Sequence, residues 1–242
     1  MLAASKSIVL VVLIFVSSLA GANCLEEHVK SIGEIYKPDG NKRSGLICKI
    51  WPATGYLIVV SSVDQHDGAD LDVMVFDPIT NSVVGRIREV GVLSSDAIYN
   101  SGFSIDTGRY QLDDVNLAFG VRVLWKGSSQ ANPYLSESLH LYLVQDGEVV
   151  SVLNGLNVYE RTGEWDTRCS GGFTTREMTM IMKPRIKSYA DLLIKEKIVK
   201  TLSRQDGGVC RDVESESKTN AYALEYIKSQ YVIPPSLRTI GW

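Results

Sequence analysis

A chain of 242 residues with 45% apolar and 22% charged residues has a globular composition, long enough for one large domain or two small ones. Its formal charge of −3 at pH 7 excludes the broad basic field that general nucleic-acid binding needs. The same composition confines expected disorder to the ends.

Lys6 precedes an apolar run from Ile8 to Val16 that continues to Leu19, and Ala20-Gly21-Ala22 follows. That order of charge, short apolar core and small residues predicts a secretory signal peptide over residues 1–22, cleaved after Ala22. A membrane-spanning helix needs roughly 20 apolar residues, so the run is too short to anchor well. Lipidation of Cys24 is a second reading, with Asn23 a poor residue directly before it. No later stretch is long and apolar, so the mature chain is expected to have no stable membrane insertion.

Past residue 44 the chain reads as short strands separated by turn residues. Gly45–Pro52 and Gly55–Ser62 form a strand–turn–strand pattern, followed by Leu71–Phe76, a turn at Asp77-Pro78, and Ser82–Arg88. Ile98–Ile105, Tyr110–Leu112 and Val115–Trp125 come next. In the last, Val115, Leu117, Phe119, Val121 and Val123 share one face. Ser138–Gln145 sets Leu139, Leu141 and Leu143 against His140, Tyr142 and Val144, and Asp146-Gly147 turns it into Glu148–Leu153. Leu156–Tyr159 is a further short strand. Phe173–Met182 carries a methionine row, Met178, Met180 and Met182, that suits core filling. Tyr189–Leu202 is read as a strand paired with Phe173–Met182. Residues 204–219 are expected to be an exposed loop tied by Cys210, and Ala221–Ile227 with Gln230–Ile233 a last hairpin turning near Lys228-Ser229.

These signals predict a mainly β fold, an antiparallel β-sandwich or barrel-like domain over residues 23–242, with a possible sub-region at 170–242. The four cysteines, Cys24, Cys48, Cys169 and Cys210, allow three pairings. Cys24–Cys48 with Cys169–Cys210 is favoured because it closes a local loop at each end, and each closure stabilises by about 2–4 kcal/mol.

Charge is unevenly spread. Residues 23–182 carry 13 basic and 21 acidic residues, whereas 183–204 carry seven basic and two acidic ones. Lys195, Lys197 and Lys200 in that second stretch are candidates for docking an acidic partner. Asp64, Asp67, Asp70 and Asp72 are weak calcium candidates, because four carboxylates within nine residues supply hard oxygen ligands but lack the spacing of a helix–loop–helix calcium loop. Otherwise Asp70 and Asp72 belong to the wet face of a strand. Glu164 and Asp166 flank Trp165, a pattern that suits glycan hydrolysis or a structural corner beside a disulfide. Cys-x-x-Cys, Gly-x-Ser-x-Gly, His-Glu-x-x-His and the phosphate-binding Gly-x-x-x-x-Gly-Lys pattern are all missing from the sequence, and any serine hydrolase must draw its base from His28, His66 or His140. No catalytic residue, metal or cofactor is assigned.

Asp70-Leu71-Asp72, Ile105-Asp106-Thr107, Arg109-Tyr110, Ala118–Arg122, Asn132-Pro133-Tyr134 and Gly163–Cys169 follow in an order that resembles uncharacterised exported proteins of Gram-negative bacteria, over residues 45–242. The resemblance implies a periplasmic address and a β-rich fold, and carries no activity. Asp70–Asp77 also resembles strands of calcium-associated β-sandwich modules. The expectation is an exported, disulfide-bonded, non-catalytic binding protein of the periplasm, of inhibitor or immunity type in one version, whose partner is a periplasmic or envelope protein. The alternatives are a secreted hydrolase acting on glycans and a calcium-stabilised surface module.

Overall fold

The computed structural model describes residues 24–66, 68–93, 97–185 and 188–238. The signal peptide with its cleavage point, the calcium candidate Asp67 and Lys187 of the basic stretch lie outside the described residues.

Two antiparallel meanders make the protein mainly β, as the alternating pattern requires. The first has four strands in sequence order, β1 (Arg43–Ile50), β2 (Leu57–Gln65), β3 (Gly68–Asp77) and β4 (Ser82–Glu89). The second has seven, β5 (Ile98–Gln111), β6 (Leu117–Gly127), β7 (Tyr134–Gln145), β8 (Glu148–Trp165), β9 (Gly171–Arg185), β10 (Ser188–Asp206) and β11 (Val209–Leu224). Each strand pairs with its sequence neighbour, so turn chemistry sets the topology. Asp146-Gly147 turns β7 into β8 with φ of 53° and 81°. Lys228 and Ser229, at φ 50° and 69°, turn the small hairpin β12 (Tyr226–Ile227) and β13 (Gln230–Tyr231). Paired positive φ values match the twist of tight hairpins.

Strand alternation builds the layers. Between the sheets, Ile58, Val60, Leu71, Val73 and Val75 meet Ile105, Phe119, Val121, Val123, Tyr142 and Val149. Gly85 permits the close approach, since a Cβ there would stand 2.8 Å from the backbone of Glu148. The opposite faces of β6–β8 and β10 carry Leu139, Leu141, Leu143, Leu153, Leu156, Leu192 and Ile194 into a second core, closed by Leu224, Tyr231, Ile233 and Leu237 of the C-terminal segment. Met178, Met180 and Met182 pack against it, as their row predicts. The second sheet curls far enough for the Ala190 N–H to bond the Leu112 carbonyl at 2.6 Å. It does not close into a barrel, and the two sheets pack as a sandwich.

A third layer was not anticipated from the sequence. Helix α1 (Glu26–Tyr36) buries Ile32 and Tyr36 on the outer face of the first sheet, against Cys48, Leu57, Val59, Met74 and Phe76. Glu26 and Glu27 in its first turn complement the helix dipole. The Cys24–Cys48 disulfide staples the helix entrance to β1, and Cys169–Cys210 joins the β8–β9 turn to the β10–β11 tip. The favoured pairing is thereby borne out.

Other boundaries differ. Residues 204–219 are not a loop but the end of a hairpin, Asp206 pairing with Val209 around Gly207-Gly208. The segments 148–153 and 156–159 are parts of one strand whose register shifts opposite Leu139–Tyr142. Val115 sits in a turn, 85% exposed, rather than on the buried face of β6.

Candidate functional site

The apolar layer between the sheets draws only on β5–β8 of the second sheet. β9, β10 and β11 run beyond it, and Val209–Thr219 is exposed throughout. The far ends of β8–β11 therefore form an arm outside both cores.

Trp165 is the centre of that arm. Its backbone N–H bonds the Ala131 carbonyl at 2.7 Å, which ties the β6–β7 connection to the end of β8. Phe173 stands 5.7 Å from it between ring centroids, and the Arg161 guanidinium lies 4.6 Å from the Phe173 centroid. Glycines allow this density: a Cβ on Gly171 would fall 2.5 Å from the Glu164 carbonyl oxygen, and one on Gly163 would fall 2.5 Å from that of Gly172. On one side of Trp165 a groove of about 320 Å³ is lined by Pro133, Leu135, Arg161, Phe173 and Asp212. On the other a recess of about 420 Å³ is lined by Asn132, Glu164, Asp166 and Ser170. The Cys169–Cys210 bridge and a Ser203–Asp212 hydrogen bond hold the two hairpin ends together.

Glu164 and Asp166 do share this recess, yet Asp166 is committed to the turn. Its Oδ1 accepts the backbone N–H groups of Arg168, Cys169 and Ser170 at 2.8–2.9 Å. Those bonds hold its carboxyl below the usual range. A glycosidase acid needs the opposite shift.

The lysine candidates do not form one patch. Lys195 and Lys197 lie on the outer face of β10, whereas Lys200 lies on the other, the face of buried Glu196, and pairs with Glu216 at 2.6 Å. A period of two explains the split, since Lys200 lies an odd number of positions from both Lys195 and Lys197. Glu177, directly opposite Lys197 on β9, further dilutes the positive field.

The calcium candidates are also divided. Asp70 and Asp72 share the helix-facing side of β3 with Met74 and Phe76, while Asp64 on β2 lies on the other side, with Ser62. Neither Asp70 nor Asp72 is wet: both are buried and partnered. Arg88 Nε stands 2.8 Å from Asp70, and the Gly91 N–H donates to Asp70 Oδ1 at 2.8 Å. Arg86 Nη2 and Arg43 Nη1 lie 2.6 and 3.1 Å from Asp72, and the Tyr36 hydroxyl donates to it at 3.3 Å. Arg43 also stacks on Tyr36, 3.8 Å from the ring centroid. The three described carboxylates therefore do not converge on one ion. Among the described residues no His/Cys/Asp/Glu group is placed to hold a metal.

One constellation was missed because it is long-range. His140 Nε2 lies 3.4 Å from Ser138 Oγ, and His140 Nδ1 lies 3.7 Å from Glu89 Oε2. The order serine–histidine–carboxylate imitates a hydrolase triad, but its environment does not. Ser138 and His140 are 5% and 2% exposed between the sheets. Trp125 Nε1 donates to Ser138 Oγ at 3.1 Å, and the Tyr142 hydroxyl donates to Glu89. Burial pushes the His140 imidazole down to about 4 and the Glu89 carboxyl up. A general base works best with a pKa near the operating pH and a path to substrate, so this is a structural polar seam.

No helix among the described residues is long and apolar enough to cross a membrane. No protein-family profile, curated protein or solved structure matches the chain.

Proposed function

We propose that the protein is an exported, non-catalytic binding protein that engages a protein partner of the periplasm or cell envelope through its disulfide-tied arm. The supporting observation is the Trp165–Phe173–Arg161 cluster between two shallow recesses on strands that neither core covers. Tryptophan, aromatic rings and arginine are the side chains that dominate protein interfaces when they sit on a rigid support. The bridge at Cys169–Cys210 and the close-packed glycines supply that rigidity before binding, which lowers the ordering cost. Leu202, Val209 and Val213, 43–59% exposed, add apolar surface to the same hairpin end. Export is supported by the two disulfides and the signal-like residues 1–22. An inhibitor or immunity-type protein is a specific form of this reading.

The test is a photo-crosslinking residue at Gln130, beside the groove, in the mature oxidised protein expressed in its own cells. One dominant adduct is expected, lost on Trp165→Ala with Phe173→Ala while thermal melting and the Cys169–Cys210 bridge are retained. An adduct of equal yield in the double variant, or no partner adduct beside a working control bait, overturns the proposal.

A further inference from the structure

A cleft larger than either recess beside Trp165 lies away from the arm, where the second sheet curls. It holds about 900 Å³, within the usual range for small-molecule sites. Its walls are the β5–β6 turn, the end of β9, the start of β10 and Tyr226 of β12. The Ala190–Leu112 backbone bond joins two of those walls, and the Tyr231 hydroxyl donates to the Ala190 carbonyl at 2.6 Å beneath them. One main-chain bond and one tyrosine hydroxyl thus hold two of the walls together.

Three chemical features converge there. The rings of Tyr189 and Tyr226 are 4.6 Å apart between centroids, and Tyr231 continues the series 5.2 Å beyond Tyr226. Asp113 and exposed Asp114 line the same space. Asp113 stays charged, because the Val115 and Asn116 N–H groups and the Asn116 amide hold its carboxyl below the usual range. The third feature is Arg185, the cation among the described lining residues, whose charge is already matched by Asp191 at 2.8 Å and Glu225 at 3.5 Å. Asp191, 94% buried, is the carboxylate that holds Arg185, so this pair adds no net positive charge beside the cleft. Burial, then the neighbouring Tyr226 and, more weakly, Asp113 raise Tyr189 and Tyr231 above the usual tyrosine range, with Asp191 contributing at Tyr231 alone.

We infer that this cleft is a binding site for a small organic cation, an ammonium group carried on an apolar or aromatic body. The ammonium lies against the Tyr189 and Tyr226 faces and the exposed Asp114 carboxylate, with the turn-bound Asp113 adding negative charge beside it, since tyrosine faces attract cations and carboxylates accept their N–H groups. Leu112, Met182 and Pro184 take the apolar body. An anion would meet Asp113 and Asp114, which pair with no cation among the described residues, and an arginine already engaged by two carboxylates. The inference stands apart from the arm and its partner.

The probes are phenethylammonium, its neutral analogue 2-phenylethanol and the anion 3-phenylpropionate, titrated calorimetrically into the mature oxidised protein. Saturable binding of the ammonium is expected, at least tenfold tighter than either analogue and weakened by added salt. Asp114→Asn, on an exposed turn, is expected to weaken it at least fivefold with unchanged melting, and Tyr226→Leu to do so more strongly. Equal affinity for the ammonium and the alcohol, preference for the carboxylate, unaltered binding in Asp114→Asn, or no saturable heat with the ammonium overturns the inference.

Discussion

Two buried ionisable groups between layers, Asp72 and His140, show how single residues set the stability of this protein. Asp72 has a fully buried side chain that neutralises Arg43 and Arg86, both also drawn to Asp39. Removing one member of a buried ion pair leaves the others uncompensated, which typically costs about 3–5 kcal/mol. Asp72→Asn is therefore expected to lower the urea midpoint markedly, whereas Asp64→Asn, which breaks a solvent-screened pair with exposed Lys42, leaves it nearly unchanged. His140 makes a pH prediction. Its folded pKa, about 4, lies below the unfolded value near 6.5, so the unfolded chain takes up its proton first. Stability from the neutral imidazole is complete above about pH 6.5 and is lost as pH falls toward 4, by up to about 3 kcal/mol. Glu89 opposes this, since its raised pKa makes the folded state hold the proton longer as pH rises above 4.5. Unfolding free energies of wild type and His140→Gln, taken at pH 7 and pH 5, separate the two. The variant should lose less stability on acidification, and equal losses would show that His140 does not titrate this way.

At the scale of elements, what could be read in advance was whatever local period determines. Leu139, Leu141 and Leu143 against His140 and Tyr142 predicted two opposed faces of β7, and each face fills a different core. The β9–β10 pairing and the Lys228-Ser229 turn were equally legible, because alternation and turn chemistry act over a few residues. Helix α1 was passed over although Val29, Ile32 and Tyr36 recur at helical spacing, and its short stripe becomes meaningful only with the sheet face it covers. Polar composition hid β11: Gly207-Gly208 and the acidic run after it read as a loop, while pairing with β10 over its whole length makes it a strand. The site followed the same divide. Glu164, Trp165 and Asp166 were found by proximity in sequence, but Arg161, Phe173 and the Ser138–His140–Glu89 seam required knowledge of which strands face each other. The staple on α1 yields a prediction of its own. With Cys24→Ser and Cys48→Ser the helix keeps Ile32, Ile35, Tyr36 and the Asp72 cluster but loses its covalent tie, so its amide hydrogens should exchange at least tenfold faster while those of β6 and β7 stay protected. Uniformly faster exchange across all three elements would mean that the helix is not an independent layer.

For the molecule as a whole, an arm that stands outside both cores creates a solubility problem as well as a binding surface. β11 is the free edge of a seven-stranded sheet, and its outer backbone groups offer a template for another chain. The sequence answers with charge and geometry together. Asp212, Glu214, Glu216 and Lys218 punctuate the edge, and the ladder skips Ser215, whose hydroxyl donates to the Lys200 carbonyl at 3.1 Å. Such a bulge twists an edge out of register with any flat partner. This argues that partners meet the faces of the arm near Trp165 and not its edge. It also gives a measurable consequence. Replacing Glu214 and Glu216 with valine removes two edge charges, raises strand propensity and leaves both cores and both disulfides untouched. The double variant should show a concentration-dependent rise in weight-average mass by sedimentation or light scattering, at concentrations where the wild type shows less. It should also retain the Gln130 crosslink, because neither Glu214 nor Glu216 lines the recesses beside Trp165, to which β11 contributes Asp212. Loss of that crosslink with no self-association would move the binding surface to the edge and make β11 itself the recognition element.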